Sequence, residues 1–230
     1  MDEKEKEIVN GAEIENQEIT AVSTAAEVPA KHGRSSKIGL ILIAVGMLAF
    51  VSAAGLFIFN YMQDMRAGRD AAVTYTKIQE KIPENEDPMS QIDPKYLGTG
   101  EMPYVTIDGL NYIGTVEIPS LDLKLPVQSE WSDELSKISP CRYKGSVYDG
   151  NLIIAGHNYK THFRGIKLLG EGAEVKFTDV DGHTFSYVVK NIETMEMHEV
   201  QRMEEGEWDL TLFTCTFGGK YRIALRCDFK

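Results

Sequence analysis

The sequence predicts a mainly-β domain, an antiparallel barrel or sandwich, carried behind a single transmembrane helix. Three observations lead there. No charged residue occurs from Ile38 to Met62, and about 20 apolar residues suffice to cross a bilayer. Beyond Tyr104 the chain breaks into short apolar runs bounded by turn residues, with no internal repeat. The stretch DVDGH, Asp179 to His183, sets an Asp-Gly pair between two such runs, which is a hairpin signal.

Residues 1–37 precede the apolar run, and the first thirty are rich in Glu and lack aromatics, the composition of a disordered tail. A cleaved signal peptide has an apolar region of about 7 to 15 residues, shorter than this one. Lys31, Arg34 and Lys37 lie before the helix, whereas Arg66 and Arg69 share the far side with Asp64 and Asp70. The denser cationic flank places residues 1–37 in the cytoplasm, residues 38–62 in the membrane and the remainder outside the cell. Residues 63–103 read as a stalk: a polar stretch with helical leanings to Ile82, then a tether dense in Pro, Asp, Asn and Gly. The folded domain is expected over residues 104–230, enough for one core. The net charge of −11 argues against nucleic acid as a partner.

Within the domain, strands are expected near Tyr112–Ile118, Leu123–Val127, Asn151–Ala155, Glu174–Phe177, Thr184–Ile192, Leu210–Cys215 and Tyr221–Cys227. A short helix over Asp133–Ile138 takes Ser132 as its N-cap, and a helical turn follows Phe163. In LTLFTCTFGG, Leu210, Leu212 and Thr214 fall on one strand face, and Thr211, Phe213, Cys215 and Phe217 on the other.

Cys215 in that strand reads by itself more readily as a small buried hydrophobe than as a nucleophile. With Cys141 and Cys227 it makes three cysteines in an extracellular domain, so at least one thiol stays unpaired. A Cys141–Cys227 disulfide and three separate thiols both fit the count, the second somewhat better. His157 ends the apolar run NLIIAGHN behind a glycine, where a sheet rim exposes it. His32, His183 and His198 read as surface residues. His162 stands in a His-x4-His spacing with His157, but no carboxylate or further imidazole matches it, so no metal is expected. Arg222 follows Cys215 across the turn TFGGKY, where a guanidinium lowers a thiol pKa or donates to an oxyanion. Arg226, on the same strand face, reads as a barrel-surface arginine whose replacement by lysine would be nearly silent.

Taken together, the His157 strand, the Thr-Leu-X-Thr-Cys motif at Thr211, Leu212, Thr214 and Cys215, and Arg222 on the last strand closely resemble the sortase family of Gram-positive transpeptidases. GTVEIPSLDLKLPV, Gly114 to Val127, is similar to the opening strands of that family. The resemblance implies a closed barrel of about eight strands with one or two short helices. It also implies a cysteine transpeptidase that cleaves a Leu-Pro-X-Thr-Gly-like sorting signal through a thioacyl intermediate. Cys215 is then the nucleophile, His157 the acid and base, Arg222 the oxyanion and substrate ligand, and Thr214 its helper, with no cofactor. The implied partners are surface proteins bearing a C-terminal sorting signal, a peptidoglycan-precursor or pilin amine, and membrane lipid. A cysteine hydrolase and a non-enzymatic extracellular binding barrel are the rival readings. Pilin-polymerising members often carry an Asp-Pro-aromatic lid. Here Asp87-Pro88 precedes Met89 and Asp93-Pro94 precedes Lys95, and the chain stops at Lys230 without a second membrane helix, so wall anchoring or sorting is expected rather than pilus assembly. The segment Glu193–Trp208 is expected to form one wall of the substrate groove.

Overall fold

A computed structural model describes residues 35–83 and 92–230. The expected disordered tail, Lys31, His32, Arg34 and the Asp87-Pro88 pair lie outside the described residues. The chain divides into two units, residues 1–50 and 51–230. In the first, the described part is helix α1, which spans Ser35–Gln79 and continues into the second. Among the described residues α1 is the one helix long and apolar enough to cross a membrane.

Beyond the apolar run, α1 does not stand clear as the stalk reading expected. Asp64, Ala67, Ala71 and Ile78 are buried, and their spacing of three, four and seven residues puts them on one helix face. Tyr75 on that face donates to Glu117 at 2.6 Å, and Lys77 pairs with Asp108 at 2.6 Å. Polar residues hide this face in the sequence because they are themselves the docking contacts. Residues before Tyr104 also join the domain: Met102 enters the core, and the N–H groups of Gly98 and Gly100 donate to the Asp149 carboxylate at 2.7 and 2.9 Å.

Nine strands follow: β1 Val105–Ile107, β2 Leu110–Ile118, β3 Leu123–Gln128, β4 Cys141–Lys144, β5 Leu152–Ala155, β6 Glu174–Asp179, β7 Thr184–Glu196, β8 Leu210–Cys215 and β9 Tyr221–Phe229. Eight of them close a barrel in the order β2-β3-β4-β5-β8-β9-β7-β6, with β6 returning to β2, and β1 folds back on β2 as an appended hairpin. The Asp-Gly stretch turns the β6–β7 hairpin, with Thr178 opposite Thr184. The antiparallel expectation fails at two junctions, because β3–β4 and β5–β8 run parallel. Strand β8 returns beside β5 only after the long β6–β7 excursion, which no local pattern records. Strands β1 and β4, of three and four residues, were missed because so short a stretch displays no period; β5 is as short as β4 but is an unbroken apolar run. In place of the expected helix there is a 3-10 turn, Leu135–Lys137, where Ser132 Oγ accepts from Leu135 N at 3.1 Å. Another 3-10 turn covers Phe163–Leu168, and a short helix, α2, unforeseen from the sequence, covers Val200–Glu204.

Alternation divides the strands between two apolar clusters. Leu152, Ile154, Leu210, Leu212, Leu225 and Cys227 point into the barrel. Ile153, Ala155, Phe213, Ala224 and Met195 point outward and are covered by Met203 of α2.

Two surface expectations are overturned. His183 is buried in the hairpin, where Nδ1 meets Asp179 Oδ2 at 2.8 Å, and the same carboxylate accepts from Tyr148 at 2.6 Å. Arg226 is 2% exposed. Its Nε donates to Glu193 at 2.7 Å, one terminal nitrogen to Thr211 Oγ1 and Met203 O, and the other to Arg202 O. The guanidinium fork therefore ties α2 to the barrel wall. A lysine ammonium cannot reach four acceptors arranged around a plane, so Arg226→Lys keeps the charge but should cost about 3 kcal/mol through lost charge-assisted hydrogen bonds, each worth roughly 1.5–3 kcal/mol. Thermal unfolding should show a midpoint lowered by roughly 6–12 °C; an unchanged midpoint would contradict the clasp.

Candidate active site

The three candidate residues reach one place through strand register. In the parallel β5–β8 pair, Ala155 lies opposite Phe213, and Gly156 N–H extends the pairing to Phe213 O at 2.9 Å. His157 and Cys215 each lie two residues beyond that matched pair, at the ends of neighbouring strands. In the antiparallel β8–β9 pair, Arg222 is the direct partner of Cys215. His157, Cys215 and Arg222 all line one cavity of about 660 Å3 on the outer face of the barrel. Its walls come from the β3–β4 connection through Trp131 and Lys137, from the β8–β9 turn through Phe217, and from α1 through Asn60 and Gln63. Of the segment Glu193–Trp208, Met197 lines it.

Two glycine positions shape the rim. A Cβ on Gly156 would lie 2.3 Å from the buried Phe163 ring, so a side chain there would push the His157 loop off the barrel. Gly218 and Gly219 have φ of 82° and 73°, the left-handed conformation that lets the chain reverse directly after the cysteine strand. Phe217, held out on this turn, is 96% exposed.

All three cysteines are free. Burial pushes the thiols of Cys141 and Cys227 up to about 12, so both stay protonated and unreactive at neutral pH. Cys215 is half-buried at the cavity. His157 has its pKa lowered, first by burial and then by the charge of Lys137, so the ring is neutral at pH 7 and can accept a proton. Tyr159 packs edge-on against it, with ring centroids 4.2 Å apart. His162 is enclosed and points neither nitrogen at a partner; burial pushes its pKa down to about 4.

The Arg222 guanidinium lies over Phe213, 5.4 Å from the ring centroid, and Phe213 is braced by Tyr143 and Tyr143 by Trp131 in edge-to-face contacts. Its Nε and one terminal nitrogen are buried without a partner. Leaving such donors unmatched costs about 1–3 kcal/mol each, and it leaves two N–H groups ready to meet an acceptor that enters the cavity. Thr214 is not brought to the cavity. Alternation turns its side chain to the opposite strand face from Cys215, and its hydroxyl is buried and unpaired. Sequence reasoning missed Trp131, Tyr159 and the two α1 residues, which carry no motif and reach the site only through the fold.

A family model described as the sortase domain matches residues 116–229. No curated protein matches the chain. Among solved structures, the chain is similar to a Clostridium perfringens sortase D5 transpeptidase at 20% identity, over 70% of this chain and 99% of that one, with a TM-score of 0.52. It is also similar to sortase C1 from Streptococcus agalactiae at 24% identity, over 54% and 70% of the two chains, with a TM-score of 0.48. A third is sortase C from Clostridium perfringens SM101, at 20% identity over 74% and 90%, with a TM-score of 0.46. The likeness to the D5 structure is one of fold. The family match begins within β2, covers the other seven strands of the closed barrel and takes in His157, Cys215 and Arg222, and this chain belongs to the sortase family of cysteine transpeptidases.

Proposed function

We propose that Cys215, His157 and Arg222 perform the acyl transfer, on a sorting signal of the Leu-Pro-X-Thr-Gly type. The observation that carries this reading is the register that sets an accessible thiol, a neutral imidazole and a guanidinium with two idle donors around one cavity. Cys215 loses its proton to His157 and attacks a backbone carbonyl of the signal as thiolate. Arg222 donates to the oxyanion of the tetrahedral intermediate. As that intermediate collapses, the C–N bond breaks, the departing amine takes the proton from His157, and a thioester to Cys215 remains. An incoming amine then attacks the thioester and gives its proton to His157, the C–S bond breaks, and His157 passes the proton to the departing Cys215 sulfur, leaving a new amide and a free thiol.

The acylated substrate is a surface protein with a C-terminal signal, and the acceptor is an amine of a peptidoglycan precursor or a pilin. The apolar run of α1 anchors the enzyme, with residues 1–37 cytoplasmic and the catalytic domain outside; protease added to wall-stripped cells should then release the domain. Mass spectrometry of a signal peptide incubated with the enzyme tests the reaction. A ligated product that requires added amine is expected, and cleavage to the free acid whether or not amine is present would make the protein a hydrolase instead.

A further inference from the structure

The loop that carries His157 has little regular structure of its own: β5 ends at Ala155 and the next 3-10 turn begins at Phe163. What grips it is α1. Asp64 Oδ2 accepts from Lys160 N–H at 2.9 Å, and Oδ1 accepts from Thr161 N–H at 3.1 Å and from the Thr161 hydroxyl at 2.7 Å. That hydroxyl also lies 3.0 Å from the backbone oxygen of Asp64. One turn on, Gly68 passes so close that a Cβ on it would stand 2.5 Å from the Thr161 methyl group. One residue before Asp64, Gln63 Oε1 accepts from the hydroxyl of Tyr159, at 3.3 Å, the same tyrosine whose ring packs on His157.

We propose that Asp64 is a positioning residue of the transpeptidation: by clasping the backbone of Lys160 and Thr161 it fixes the 157–163 loop, and with it the His157 imidazole, so that the helix following the apolar run is part of the active site. The proposal rests on His157 being the acid and base of the reaction. A carboxylate suits this task because one group offers two oxygens to three donors on consecutive residues, and charge-assisted bonds of this kind are short and directional. Burial alone would raise the Asp64 pKa, but the bonds from Thr161 and Lys160 and the nearby Arg164 hold it below the usual carboxylate range. The clasp is therefore intact at neutral pH, and opens only as acid titrates the group below its ordinary value of 3.8.

The test uses the full chain in detergent micelles, with a signal peptide and an amine acceptor. Asp64→Ala should lower kcat about tenfold while KM for the signal peptide stays within about twofold, since the walls supplied by the β3–β4 connection and the β8–β9 turn are untouched. Asp64→Asn, which keeps one acceptor oxygen, should fall between the two. Gly68→Ala drives a wedge against Thr161 without removing any ionisable group. It should reproduce the kcat loss and, by NMR, shift the His157 titration upward, because burial is the largest of the effects that lower it. The charges around that ring, Lys137, Asp133, Asp64 and Arg164, and the phenol of Tyr159 all remain in this variant. Normal kcat in Asp64→Ala and Gly68→Ala overturns the proposal. So does a loss that merely follows a lower melting temperature with the His157 titration unmoved. His157→Ala, run alongside, separates the two readings. If it is active, the assignment of His157 fails; if it is dead while Asp64→Ala and Gly68→Ala are normal, only the clasp fails.

Discussion

Cys215→Ala should reduce transpeptidation to background while moving the melting temperature by no more than about 2 °C. The residue ends β8 and is half-buried at the cavity rim, so losing its sulfur opens no enclosed void and removes no hydrogen bond that the structure records. Substitutions of that kind stay within about 0.5 kcal/mol, and a domain of this size shifts by about 2–4 °C per kcal/mol. Neither remaining cysteine can stand in. Cys227 points into the barrel among Leu212 and Leu225, and Cys141 is equally enclosed. Both have pKa values near 12, so neither supplies thiolate at neutral pH. Peptide turnover and a thermal melt on the same preparation check both halves of the expectation. A midpoint lowered by 10 °C would mean that Cys215 is a packing residue after all.

Alternation in β8 explains how much of this was legible in the sequence. Counting by two from Leu210 separates Leu212 and Thr214 from Phe213 and Cys215, and the structure keeps that separation as barrel interior against outer groove. The local record ends there. The register that lines up Ala155 with Phe213 joins segments far apart in the chain, and it is this pairing that brings His157 beside Cys215. Only the family resemblance, carried by the motif and by the order of His, Cys and Arg, anticipated the constellation.

The misreadings have physical causes of the same kind. Arg226 looked like surface because arginines usually are, and its acceptors on Glu193, Arg202 and Met203 come from another strand and an unforeseen helix. The burial of His183 was more readable. Its partner Asp179 sits four residues earlier across the hairpin that the Asp-Gly pair had already announced. The stretch after the apolar run looked like a stalk because most of its contacts are polar or small: Asp64, Gly68, Ala71 and Tyr75 recur at helical spacing, and of the buried residues on that face only Ile78 is a large apolar one of the kind by which such a face is usually found.

Arg222→Lys should lower turnover by 100- to 1000-fold, the range observed when one preorganised oxyanion donor is removed, although the positive charge is kept. Arg222 stands opposite Cys215 on β9 with its guanidinium laid over Phe213, and two of its nitrogens have no protein partner. A planar fork held in this way presents N–H groups in fixed directions before any substrate arrives. A lysine ammonium on a flexible stem presents a mobile point charge instead. Its own attraction to the Phe213 face is retained in part, so the loss isolates direction from charge. Arg226→Lys cannot serve as the control, since that fork holds α2 to the barrel. Arg69→Lys can, because its side chain is 73% exposed. The Arg222 variant should melt no lower than the wild type, because burying two unmatched donors opposes folding and their removal relieves that cost. A slow enzyme that is equally or more stable is the signature of a group held strained for catalysis, and an Arg222→Lys enzyme as fast as the wild type would remove the guanidinium from the transition state.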